Sequence, residues 1–168
     1  MLEYVDICDV RGNFTGVVKE KHEPILPGEY RRHAIVVLKT REGKYVLQQR
    51  SLRARYFPGA WDATGGAVAS GETGAQAARR EALEELGVSV DIADMRLIYT
   101  ELQDWGNDTG LIVETYAARV DVPQGGFTLA EMEVNDVRLV DYAEFEEAVM
   151  HNKTEGFRAA LRRIEAEI

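Results

Sequence analysis

GAVASGETGAQAARREALEELGV, residues 66–88, decides the reading of this 168-residue chain. Thr73 and Gln76 form a T-x-x-Q capping box, in which the Thr hydroxyl accepts from the Gln76 amide and the Gln side chain returns to the cap. A helix is predicted to begin there. Ala75, Ala77, Ala78, Ala82, Leu83 and Leu86 supply helix formers and an apolar stripe at helical spacing, and Gly87 supplies the left-handed residue that closes many helices. The helix should end near Leu86. On it Glu81, Glu84 and Glu85 stand at i, i+3 and i+4, so turns of about 100° per residue gather three carboxylates within one arc, facing one another. Like charges at this spacing cost roughly a few tenths of a kcal/mol per pair, and acids in the last turns also oppose the negative end of the helix. A hard cation such as Mg²⁺ or Mn²⁺ would offset that cost, because it prefers carboxylate oxygens and commonly completes its shell with water and substrate phosphates. An isolated acidic run is ordinarily a solvated face. Here the flanking residues decide between the two.

The stretch fits G-x5-E-x7-R-E-U-x-E-E-x-G-U at every position, with Ala82 taken as the first apolar U. That pattern is the Nudix box, and the chain resembles the Nudix hydrolases, which cut diphosphate linkages with the help of a divalent metal. The resemblance implies an α/β (α+β) fold in which a mixed β-sheet lies in an α/β/α sandwich. It also implies that Glu81, Glu84 and Glu85 are metal ligands and that Gly66 adds its backbone carbonyl. Glu72 and Arg80 match the other charged positions of the box. Arg80, always protonated, is expected to pair with a carboxylate and hold the acidic helix against the preceding loop. The implied reaction is substitution at phosphorus by a metal-activated water, with no covalent enzyme intermediate.

Further candidates lie outside the box. Glu133, in EMEVNDVRLVDY, sits in a stretch similar to the family's E-V-x-x-V-R-x-V segment and is the first candidate for the water-activating base, which places it with Glu72, Arg80, Glu81, Glu84 and Glu85 in the expected catalytic set. Glu114, inside an apolar strand, is the second, because a buried charge requires a partner. Arg50 ends the strand entering the box loop, where the family often sets a basic residue against substrate phosphate. Arg53 and Arg55 could add positive potential to the same subsite. Trp61 reads first as a loop anchor and second as a pocket-lining residue, and Trp105, in a predicted loop, equally as an aromatic that stacks on a base or prenyl group or as a cover for apolar surface.

The rest of the chain reads as strand, turn, strand. EYVDICDV and FTGVVKE flank Arg11-Gly12-Asn13, predicting an N-terminal β-hairpin extension over about residues 1–29. HAIVVLKT and KYVLQQR flank Arg41-Glu42-Gly43, MRLIYTELQ and LIVETYAARV flank a loop at residues 104–108, and NDVRLVDY suggests a further strand. Helices are predicted over Tyr142 to His151, after Asp141 as cap, and over Glu155 to Ile168. The length suits one domain spanning residues 1–168. A single cysteine, Cys8, leaves no intramolecular disulfide and fits a reducing cytoplasm. No apolar run reaches bilayer length. A formal charge of −9 argues against nucleic-acid polymers and anionic membranes as partners. The expected partner is a small-molecule diphosphate, and oligomeric state stays open, with a homodimer as the assembly to test.

LQQRSLRARYFPGAWDATGG looks especially like the branch of Nudix proteins related to isopentenyl-diphosphate isomerase. That enzyme is the nearest alternative. Its chemistry uses a cysteine just before the box glycine and a histidine just after it, and this chain has Gly65 and Ala67 there. Allylic proton transfer then lacks one of its two partners. His33 alone stands where an isomerase would place a metal ligand, and beside AIVVL it reads first as structural. A second alternative, from another class, is a non-catalytic nucleotide or metabolite sensor that reuses the fold. The intact box disfavours it.

Overall fold

The computed structural model describes residues 3–168. Its framework is a mixed sheet centred on β3 (Tyr30–Thr40), whose run AIVVLKT is buried along its whole length. Strands covered on both faces read as continuous apolar runs, and β3 is such a strand. One edge of β3 pairs in parallel with β8 (Thr109–Val120) from Tyr30↔Gly110 to Thr40↔Val120. Three strands share the other edge in turn: β1 (Tyr4–Cys8) at Tyr30, β6 (Thr64–Ala67) from His33 to Val36, and β4 (Tyr45–Arg50) at Lys39. β2 (Phe14–Glu20) flanks β1, β5 (Trp61–Asp62) and β9 (Val134–Val140) flank β4, and β7 (Arg96–Gly106) flanks β8.

Alternation along β3 feeds two cores. Ala34, Val36 and Leu38 pack with Ala77, Ala78, Ala82 and Leu86 of α1 (Gly74–Leu86), while Ile35 and Val37 pack with Phe145 of α2 (Tyr142–Val149) and with Phe157, Leu161 and Ile164 of α3 (Glu155–Glu167). Helices therefore cover both faces, as the expected α/β/α sandwich requires. The capping box at Thr73 and Gln76 is formed, and Gly87 closes α1 at φ 70°. Gly74 has a tertiary reason: a Cβ there would lie 1.8 Å from Glu114 Oε2 and 2.5 Å from the Tyr116 hydroxyl.

Three local expectations need correction. The segment at 104–108 is not a loop: β7 and β8 run on to a two-residue turn at Asn107 and Asp108, both with positive φ, the mirror-image turn that matches strand twist. Trp105 consequently lies on β7, and Asp108 is fixed by the Tyr30 hydroxyl and the Gly28 amide at 2.7 and 2.6 Å. The helix after Asp141 stops at Val149 and tightens into a 3₁₀ turn over Met150–Asn152. Asp141 makes no side-chain cap, because Lys44 holds its carboxylate at 2.6 Å. Glu114 has the partner that a buried charge requires, since Arg32 binds both its oxygens at 2.8 and 3.0 Å and Tyr116 adds a third donor.

Candidate functional site

The acidic face of α1 is turned toward the short strand β6 at one point. A Cβ on Gly66 would stand 2.1 Å from Glu81 Oε1, so the carboxylate rests directly on the glycine. Arg80 holds this arrangement from the side. Its Nε and Nη2 bind the two oxygens of Glu72 at 2.8 and 3.0 Å, Nη2 also donates to the Ala67 carbonyl at 2.9 Å, and Nη1 donates to Glu81 at 2.6 Å. Glu72 in turn accepts from the Ala69 amide. The guanidinium fork thus joins the helix to the loop before it, a planar multidentate geometry that lysine cannot reproduce.

Glu85 points into the sheet. Gln48, on β4 and 2% exposed, donates from Nε2 to Glu85 Oε2 at 2.9 Å, and its own Oε1 has no partner among the described residues. Glu133 reaches the same place through the cap of the helix. The orphan carbonyls of Glu85 and Leu86 accept from the amides of Ala130 and Thr128, which folds residues 128–133 back over the end of α1. The Ser51 amide then fixes the Glu133 carbonyl at 2.8 Å. As a result one carboxylate oxygen each of Glu81, Glu85 and Glu133 lie within 4.8 Å of one another.

Glu84 stands outside this group. On the helix it lies about 100° from Glu85, with Glu81 between them. The sheet covers the Glu85 side and solvent the Glu84 side, where its carboxylate is 58% exposed and accepts from Arg80 at 3.3 Å. The expectation that all three acids face one another therefore needs correction, with Glu133 in place of Glu84. The basic residues of the approach are not gathered either. Arg50 uses Nε to hold the Tyr56 carbonyl at 3.0 Å, Arg53 is exposed, and Arg55 lies over the Tyr56 ring. Among the described residues no hydrogen bond or ion pair joins these three arginines to the acids.

Burial first, and then the charge of Glu81, pushes the Glu85 pKa up to about 8, against the donation of Gln48 and of the Gly65 amide. Burial also raises Glu81, against the pull of Arg80. For Glu72 burial acts upward, but the hydrogen bonds from Arg80 and the Ala69 amide outweigh it and the pKa is lowered. Desolvation holds half-buried His33 neutral, with a pKa lowered to about 4. A close group of carboxylates in which Glu81 and Glu85 resist ionisation, with no histidine or cysteine among them, suits a hard divalent cation that would neutralise them together. Binding such a cation would displace the Glu85 proton. Apparent Mn²⁺ affinity is accordingly expected to rise about tenfold per pH unit up to about 8 and then level off, as read by calorimetry across pH 6–9. A flat profile below about pH 8 would contradict this coupling.

A cleft of about 430 Å³ opens beside Glu81 and Glu84, between α1 and the N-terminal hairpin. No signal in the sequence singled out Gln48 or the hairpin residues lining this cleft, because neither an amide on a strand nor a lysine in a turn carries a pattern of its own.

The NUDIX domain model matches residues 29–163, and the chain belongs to the Nudix family. An uncharacterised Nudix hydrolase of Listeria monocytogenes is 30% identical over 146 residues, covering 86% of this chain and 83% of the relative. Nudix hydrolase 3 of Arabidopsis thaliana is 31% identical over 85% of this chain, which spans 20% of that longer protein. Among solved structures, DR0079 of Deinococcus radiodurans superposes with a TM-score of 0.71 at 23% identity, covering 96% of this chain and 98% of that one, a likeness of fold. With such relatives the chain is a hydrolase acting on pyrophosphate bonds. No helix of the described residues is long and apolar enough to cross a membrane.

Proposed function

We propose that the protein is a Mg²⁺- or Mn²⁺-dependent pyrophosphohydrolase acting on a nucleoside diphosphate linked to another group, or on a related organic diphosphate. The observation that carries this reading is the convergence of Glu81, Glu85 and Glu133 beside the Gly66 loop. When bound, the cation lowers the pKa of water and neutralises diphosphate oxygens. Glu81, Glu85 and the Gly66 carbonyl would hold it, and Glu84 would join the donor set only by turning in from its solvent side. Gln48 orients Glu85, and Arg80 with Glu72 orients Glu81.

Exposed Glu133, at the rim of the group, takes the proton of the attacking water. The water oxygen bonds to phosphorus, the bridging P–O bond breaks, and its electron pair leaves with the departing phosphate. Arg50, Arg53 and Arg55 lie on the approach and would meet a phosphate there only by leaving their present contacts. Two fold neighbours support the nucleotide class: an Ap4A hydrolase of C. elegans, and the Nudix domain of Shewanella oneidensis NrtR complexed with ADP ribose. We further place the enzyme in the cytoplasm as one domain, a location that the buried free thiol of Cys8 fits.

A chromatographic screen for cleavage products released from nucleoside triphosphates, nucleotide sugars, dinucleotides and prenyl diphosphates, with and without Mg²⁺, tests the reading. Metal-dependent release from nucleotide compounds is expected. Binding without release would favour a sensor, and conversion of isopentenyl diphosphate to its isomer would favour the isomerase.

A further inference from the structure

The residues before 29 lie outside the stretch that matches the family, yet they wall the cleft. Their position is fixed. The Tyr4 carbonyl accepts from the Ser70 amide at 2.9 Å, and the Asp6 carboxylate takes the Ser70 hydroxyl at 2.5 Å and the Gly71 amide at 3.0 Å. Three hydrogen bonds thus clamp β1 to the loop between β6 and α1. Glu3, Tyr4, Val5 and Lys21 face Arg80, Glu81 and Glu84 across the opening.

An anionic substrate brought to an acidic helix needs positive charge on the opposing wall. Arg80 is already committed to three carboxylates and a carbonyl. Lys21 is differently placed: its ammonium, on a half-exposed side chain, meets Glu3 at 2.5 Å, and Glu3 is itself 61% exposed. A solvated pair of this kind is weak and exchanges its acceptor readily. Tyr4, 49% exposed, also lines the cleft and is an aromatic available to a ligand there.

We propose that the N-terminal hairpin forms a substrate subsite in which Lys21 exchanges Glu3 for a phosphate oxygen of the diphosphate and Tyr4 lies against the base of a nucleoside diphosphate compound. The proposal rests on the hydrolase reading above and adds the nucleoside class and the residues that select it. Glu3 competes with the substrate for Lys21, so the two side chains act in opposite directions.

The test is calorimetric binding of α,β-methylene-ADP and of methylenediphosphonate, which lacks the nucleoside, to the full chain with Mg²⁺. Lys21→Met is expected to weaken both by about tenfold, and Glu3→Gln to tighten both by about threefold. Tyr4→Ala should weaken α,β-methylene-ADP about fivefold and methylenediphosphonate by less than about twofold. Both Lys21→Met and Glu3→Gln remove the same exposed ion pair, so a role in stability alone would move them together. Mn²⁺ affinity without ligand should stay at the wild-type value throughout. Unchanged affinities in Lys21→Met, or a common direction for Lys21→Met and Glu3→Gln, would overturn the subsite. Wild-type protein that binds α,β-methylene-ADP yet yields no cleavage product in the screen would instead sink the hydrolase reading and leave the subsite standing.

Discussion

Glu85→Gln is expected to lower turnover by about two orders of magnitude or more while the circular dichroism spectrum stays native. The carboxylate is buried against β4 and β6, takes the Gln48 amide at 2.9 Å and stands within 4.8 Å of Glu81 and Glu133. Losing one negative oxygen from that group removes a direct donor to the cation. Stability should move the other way. A carboxyl whose folded pKa is raised to about 8 from 4.5 favours the protonated folded chain. Its contribution is whole below pH 4.5 and is lost as pH rises through about 8. The metal-free wild type should therefore melt at a progressively lower temperature across that window, and Glu85→Gln should flatten the slope. Equal turnover in the two proteins under saturating Mg²⁺ would refute the assignment of Glu85 to the metal.

Gly66→Ala should be comparably severe. Its Cβ would stand 2.1 Å from Glu81 Oε1 and 2.3 Å from Glu81 Cδ, far inside contact distance. Glu81 cannot simply swing away, because Arg80 fixes it at 2.6 Å and Arg80 is itself held by both Glu72 oxygens. Either the helix shifts from β6 or the Arg80 network opens. Turnover is expected to fall by about two orders of magnitude, with Mn²⁺ affinity reduced in calorimetry. An active Gly66→Ala enzyme with wild-type Mn²⁺ affinity would show that Glu81 need not rest on the loop.

The helix from Thr73 to Gly87 was legible because capping and termination depend on residues a few positions apart, and the strands around it because turn chemistry is equally local. The hairpin at Asn107 and Asp108 was missed at its tip, since polar residues there suggested a loop while two positive-φ residues were enough to turn the chain. Arg80 was legible in its partners because they lie within the box. Arg50 was not, because an arginine at a strand end carries no mark of whether its fork meets a phosphate or a carbonyl of its own loop, and here it meets Tyr56.

Sequence by itself determined the Nudix family, the acidic helix and the type of bond broken, since each is written in side chains repeating at fixed short spacing along one helix and its flanking loop. Tertiary structure alone decided which acids meet. Glu133 arrives 48 positions after Glu85 because residues 128–133 fold back to satisfy the last carbonyls of α1, and Glu84 is left outside because the sheet covers only one flank of the helix. Such meetings are set by where the chain returns in space, which no spacing along it records.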